Sequence, residues 1–199
     1  MRNVPPRLAG HPDRLRWNAK YEGGADAPPH PLLQRALALP PPDGPVLDLA
    51  SGPSGSALAA ASAGRRVTAV DISEVALDRL AAEAERRGLA GLITLVHADL
   101  GEWRPEPERF ALVLCTGYWD AGLFGPAAEA VLPDGGVLAW EAFTAGAACG
   151  RPARPQLPAE WCLKAGEPAA LLPPGFTVLS QVDVLETGKR RLLARRSPT

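Results

Sequence analysis

Two rhythms of apolar and polar residues alternate along the chain, and each change of rhythm marks a new element. The short apolar runs "VLDLA" (46–50), "RVTAVDI" (66–72), "LITLVHA" (92–98), "FALVLCTG" (110–117) and "GGVLAWEAF" (135–143) predict strands. Between them lie helical patterns. "HPLLQRALAL" (30–39) places Leu32, Leu33, Ala36 and Leu37 on one face, with Pro31 in the first turn and prolines 40–42 as a stop. "SALAAASAG" (56–64) closes at Gly64, and "EVALDRLAAEAERR" (74–87) follows a Ser73 cap, presents Leu77, Leu80, Ala81 and Ala84, and ends at Gly88. "AGLFGPAAEAVL" (121–132) reads as a helix despite Pro126. Strands alternating with helices predict an α/β protein with a parallel sheet covered on both faces.

The remaining segments are less regular. The polar leader before residue 30 contains several prolines, and "DLGEWRPEPERF" (99–110) has no apolar period, so that crossover is expected to be irregular. Residues 146–158 read as a loop, "GEPAALL" (166–172) as a short helix, and 176–196 as a hairpin turned near Thr187 and Gly188. An antiparallel hairpin is compatible with the edge of a parallel sheet. The basic end "KRRLLARR" reads as a solvated face. The expected division is a leader and capping helix over 1–44 and a ligand-binding domain over 45–199, forming one domain overall.

Composition narrows the function classes. The 199 residues carry a formal net charge of −1, which offers no electrostatic footprint for nucleic acid or an anionic membrane. No apolar stretch is long enough to span a bilayer and no signal peptide is evident, so the expected location is the cytoplasm. Cys115, Cys149 and Cys162 have no C-x-x-C spacing, and His11, His30 and His97 have no ligand spacing, so neither a disulfide framework nor a metal site is expected. His97 reads as a core or rim histidine, and Cys115 as a small buried hydrophobe.

The chemistry concentrates at the strand ends. Ala50, Gly52 and Gly55 occupy the glycine positions of a dinucleotide-type turn, and Asp71 stands at the roughly 20-residue offset of a ribose-binding acid. This pattern points to an adenosine-containing ligand without saying which. Asp48 sharpens the choice, because a diphosphate a few ångströms from it would meet a repulsion of about 1–4 kcal/mol. A ligand with an ammonium and a sulfonium would be attracted instead. Asp99, after the third strand, completes an expected row of three rim acids and is placed to accept from an adenine amine.

The ordered run "VLDLASGPSG…VTAVDIS…HADL…FALVLCTGYWD…LPDGGVLAWEAF" resembles the class I S-adenosylmethionine-dependent methyltransferases. With "WNAKY" in the leader and "EAFTAGAACGRPARP…GEP" in the tail, it is similar to small bacterial tellurite-resistance (TehB-like) and thiopurine-methyltransferase-like members. The resemblance implies a Rossmann-like methyltransferase fold, with a mostly parallel seven-stranded sheet, helices on both faces and an antiparallel C-terminal hairpin. It implies S-adenosyl-L-methionine as cofactor and S-adenosyl-L-homocysteine as product. By position, Asp48, Ala50 and Gly52 would surround the methionine moiety, Asp71 and Ile72 the ribose and adenine, and Asp99 and Leu100 the adenine edge. Cys115 and Thr116 would lie beneath the sulfonium, with Trp17 and Tyr21 folded over the cofactor. Ala50 and Ser51 depart from the usual Gly and Cys, and Ser54 from a residue often Gly.

After the fourth strand stands "CTGY" and not the Asp/Asn-Pro-Pro-aromatic run of base-amino methylation, so a small-molecule acceptor is expected. The candidate acceptor-side residues are Tyr118, Trp119, Glu141 and Arg151; no catalytic base is assigned. Two rival readings stay open: an NAD(P)-dependent Rossmann-type reductase, and an inactive S-adenosylmethionine-binding module.

Overall fold

The computed structural model describes residues 4–24, 27–39, 42–144 and 157–198. Its strands are β1 (Val46–Leu49), β2 (Val67–Asp71), β3 (Ile93–His97), β4 (Leu112–Thr116), β5 (Val137–Phe143), β6 (Phe176–Val184) and β7 (Lys189–Arg196). They form one seven-stranded sheet in the order β3-β2-β1-β4-β5-β7-β6. The first five strands run parallel, and β7 is antiparallel to both β5 and β6. The predicted terminal hairpin is therefore present.

Among the helices, α2 (Pro31–Ala38), α3 (Gly55–Ser62) and α4 (Glu74–Arg86) cover one face, where Leu32, Leu33, Leu58 and Leu80 pack against Val46, Val67 and Leu114. The other face is covered by α5 (Ala121–Glu129), whose Leu123 and Phe124 pack with Trp119 and Trp140. Ser54, Ser73 and Asp120 cap α3, α4 and α5 by accepting N–H bonds from the first turn of each helix. The β3–β4 crossover forms no α-helix, as its sequence predicted; it runs as turns whose Leu100 and Phe110 reach into the core.

Two elements differ from the sequence reading. Residues 166–172 contain only a 3-10 turn at Ala169–Leu171. The leader holds a helix, α1 (Pro12–Tyr21), that apolar periodicity did not predict. Its signals lie at its start and in its polar contacts. His11 precedes Pro12 as His30 precedes Pro31, and each imidazole Nδ1 accepts an N–H bond from the first turn of its helix. Arg14 forms a two-pronged ion pair with Glu74, one prong from Nε at 2.8 Å, and Asn18 bonds both Glu74 and Ser73. These bonds fix α1 to the start of α4, above the ends of β1 and β2. The leader then crosses α3, where a Cβ at Gly55 would lie 2.0 Å from the Ala27 carbonyl oxygen.

Candidate active site

The site begins where β1 ends. Beyond Leu49 the chain turns through Ala50 at φ 49° and Gly52 at φ 58°, both left-handed. Glycine adopts this conformation freely, whereas alanine pays roughly 1–2 kcal/mol in steric strain. Asp71 holds the turn in place. Its Oδ2 accepts the Gly52 N–H at 2.7 Å and its Oδ1 the Ser73 N–H at 2.8 Å. Burial pushes the Asp71 carboxyl upward, opposed by those two N–H donors. A carboxylate offers about four acceptor positions, so hydroxyls of a ligand can still join.

The three expected rim acids are not level. In the sheet register Asp48 stands opposite Ala69, two residues below Asp71, or about 6–7 Å deeper at the usual strand rise. Asp48 is 2% exposed and accepts the Ser54 hydroxyl at 2.5 Å, while that same Oγ caps α3 through the Ala57 N–H. Burial pushes its carboxyl up to about 7; the Ser54 hydroxyl lowers it and the nearby Asp71 raises it. The expectation that Asp48 faces the ligand from the rim is therefore corrected: it lies beneath the turn and braces it against α3.

A cavity of about 300 Å³ opens above this turn. Of the residues expected at a cofactor, Trp17, Tyr21, Ala50, Asp71, Ile72, Asp99, Leu100 and Thr116 line it. Gly52 sits against Tyr21, since a Cβ there would come 2.9 Å from the phenol oxygen. Cys115 does not open onto the cavity; it is fully buried, with its thiol 3.7 Å from the Tyr118 carbonyl oxygen. Trp17 and Tyr21 stack at 5.8 Å between centroids, and the Lys20 ammonium lies 4.2 Å from the Trp17 ring centre. Burial, then Asp71, raises the Tyr21 pKa, keeping it a neutral phenol.

The sequence reading missed Asp13, Lys20, Gly117, Phe143 and Lys189, which also line this cavity. Asp13 and Lys20 belong to the unforeseen α1. Lys189 belongs to the basic tail expected to be solvated, but its ammonium bonds Glu141 at 2.7 Å and lies 5.1 Å from the Phe143 ring centre.

A second cavity of about 420 Å³ adjoins the first, lined by Tyr118 and Trp119 as expected and by the unforeseen Arg16, Asp120 and Trp161. Asp13, Trp17, Gly117, Tyr118 and Phe143 line both. Glu141 lines neither. It is 1% exposed and bonded to Lys189 and Arg191, with His30 Nε2 at 3.3 Å. Burial opposes its charge, but His30, Lys189 and Arg191 outweigh that and hold the carboxyl well below the usual range. The expectation that Glu141 meets an acceptor is corrected: it joins β5 to β7. Arg151 lies outside the described residues, as does Cys149. No group of three or more His, Cys, Asp and Glu residues able to hold a metal ion occurs among the described residues.

The architecture is the Rossmann-like methyltransferase fold. Residues 46–135 match the methyltransferase domain family. The geranyl diphosphate C-methyltransferase of Streptomyces coelicolor A3(2), solved with S-adenosyl-L-homocysteine, has this fold: TM-score 0.68 and 14% identity, covering 94% of this chain and 98% of that one. So does an S-adenosylmethionine-dependent methyltransferase from Mesorhizobium loti, at TM-score 0.64 and 20% identity over 83% of this chain and 96% of that one. The [4+2]-cyclase SpnF shares it as well, at TM-score 0.69 and 15% identity over 93% of each chain. No curated protein sequence matches the chain. The domain match supports a methyltransferase enzyme, and the solved structures share its fold.

Proposed function

We propose that this chain transfers the methyl group of S-adenosylmethionine to a small-molecule acceptor by in-line displacement. The observation that carries the reading is the pair of adjoining cavities, one lined by the residues expected at a cofactor and the other by aromatic side chains. In this reading Asp71 receives the ribose hydroxyls, Ile72, Asp99 and Leu100 border the adenine, and Trp17 and Tyr21 cover the nucleoside. Thr116 and the Ala50–Gly52 turn flank the methionine portion. Asp48 acts from below by holding that turn through Ser54, without direct contact with the donor. Trp17 and Tyr21, placed over the cavity, are what favours the tellurite-resistance (TehB-like) and thiopurine-methyltransferase-like branch.

The donor carries its own leaving group, so the chain's part is to align the acceptor with the methyl carbon and exclude water. Tyr118 and Trp119 provide an apolar wall for the acceptor. Calorimetry with S-adenosylhomocysteine beside NADH tests the reading. Saturable binding of the first with none of the second is expected; tighter binding of NADH would overturn it in favour of a reductase.

A further inference from the structure

The second cavity carries information about the acceptor that the fold does not. Any group methylated from the first cavity must reach the boundary formed by the five residues common to both. Two of them ionise, Asp13 and Tyr118. Burial first, then Asp120 and other nearby acids, raises the Tyr118 pKa, so it remains a phenol that donates rather than takes a proton. The Asp13 carboxylate has no hydrogen-bond or ion-pair partner among the described residues; His11 engages only its backbone N–H. A carboxylate that no described residue claims thus stands at the boundary where transfer would occur.

The walls indicate what kind of molecule approaches it. Trp17, Trp119 and Trp161 provide flat apolar faces, and among the described residues charge comes from Asp13, Asp120 and Glu160 against Arg16. The indole faces already hold one planar cation, since the Arg16 guanidinium lies 5.6 Å from the Trp17 ring centre and 5.3 Å from that of Trp161. Acids outnumber bases, and aromatic rings attract cations at their faces.

We infer that the second cavity takes an arylalkylamine and that Asp13 is the catalytic residue that receives the proton its nitrogen must lose; the inference rests on the first cavity holding the methyl donor. The amine arrives as an ammonium ion and gives one proton to the Asp13 carboxylate, which frees its lone pair. That pair forms the new nitrogen–carbon bond as the carbon–sulfur pair departs with sulfur, turning the sulfonium into a neutral thioether. The product leaves as a methylated ammonium, and Asp13 returns its proton to solvent.

Tryptamine and indole-3-propionate share one aromatic body and carry opposite charges, so they separate this inference from its opposite. On protein saturated with S-adenosylhomocysteine, calorimetry is expected to show tryptamine binding at least tenfold more tightly. Asp13→Asn should abolish that preference and lower kcat for tryptamine methylation at least a hundredfold. Glu186→Gln, in the exposed turn between β6 and β7 and away from both cavities, should leave tryptamine binding and kcat within twofold. Equal or tighter binding of indole-3-propionate would show that Arg16 selects the acceptor and overturn the inference, as would an unchanged kcat in folded Asp13→Asn or no methylation of tryptamine by the unmodified protein. Failure of the unmodified protein to bind S-adenosylhomocysteine would instead bring down the methyltransferase reading beneath it.

Discussion

Replacing Asp48 by asparagine should stabilise the ligand-free protein, and increasingly so as the pH rises. Asparagine keeps an oxygen to accept the Ser54 hydroxyl and removes a charge that the interior disfavours. The folded carboxyl titrates at about 7 against an ordinary 3.8, so the native state holds a proton the unfolded chain has already released. Stability therefore falls as pH rises from about 4 to about 7 and levels off above that. At ~1.4 kcal/mol per pH unit the whole loss is up to about 4 kcal/mol, of which roughly 2.5 kcal/mol falls between pH 5 and pH 8.5. The asparagine variant has no such loss, and relief of its repulsion with Asp71 acts in the same direction. Urea unfolding of both proteins at those two pH values measures the gap. A gap that stays constant between pH 5 and 8.5 would refute an Asp48 buried in a neutral form.

Glu141→Gln should cost roughly 2–4 kcal/mol by leaving Lys189 and Arg191 without their shared anion, lowering Tm by about 4–16 °C in a thermal melt. Because its carboxyl is held low, that contribution is complete above about pH 5 and fades as pH falls below the ~4.3 of an unfolded glutamate. Gly55→Ala should force the leader off α3, since its Cβ would overlap the Ala27 carbonyl; limited proteolysis is expected to cut within residues 22–30 much faster than in the unmodified protein. Arg14→Ala should loosen α1 on α4, where Asn18 and Arg79 still hold it, and weaken S-adenosylhomocysteine binding a few-fold by calorimetry, with the β-sheet intact by circular dichroism.

The parallel sheet was legible because strands covered on both faces must be apolar at successive positions, and the helices between them because each shows one apolar side and a serine or aspartate cap. The α1 helix was hidden because Arg14, Asn18 and Arg79 fasten it through polar bonds that leave no apolar period. Its only sequence signal was the His-Pro pair shared with α2. With α1 went Asp13, Arg16 and Lys20, three of the charged residues that line the two cavities. The depth of Asp48 was hidden for another reason: how far a strand slides against its neighbour is decided in three dimensions, and two residues of slide separate a rim acid from a buried one. Lys189 and Arg191 looked solvated because their partner, Glu141, lies some fifty residues earlier on a neighbouring strand.

The double attachment of α1 has a kinetic side. Held near its start by the Glu74 clamp and beyond its end by the crossing over Gly55, the helix is a beam fixed at two points and not a door on a hinge. Swinging it clear would break one attachment or the other. Exchange of molecules underneath therefore asks for movement of the Trp17, Lys20 and Tyr21 side chains rather than of the helix that carries them.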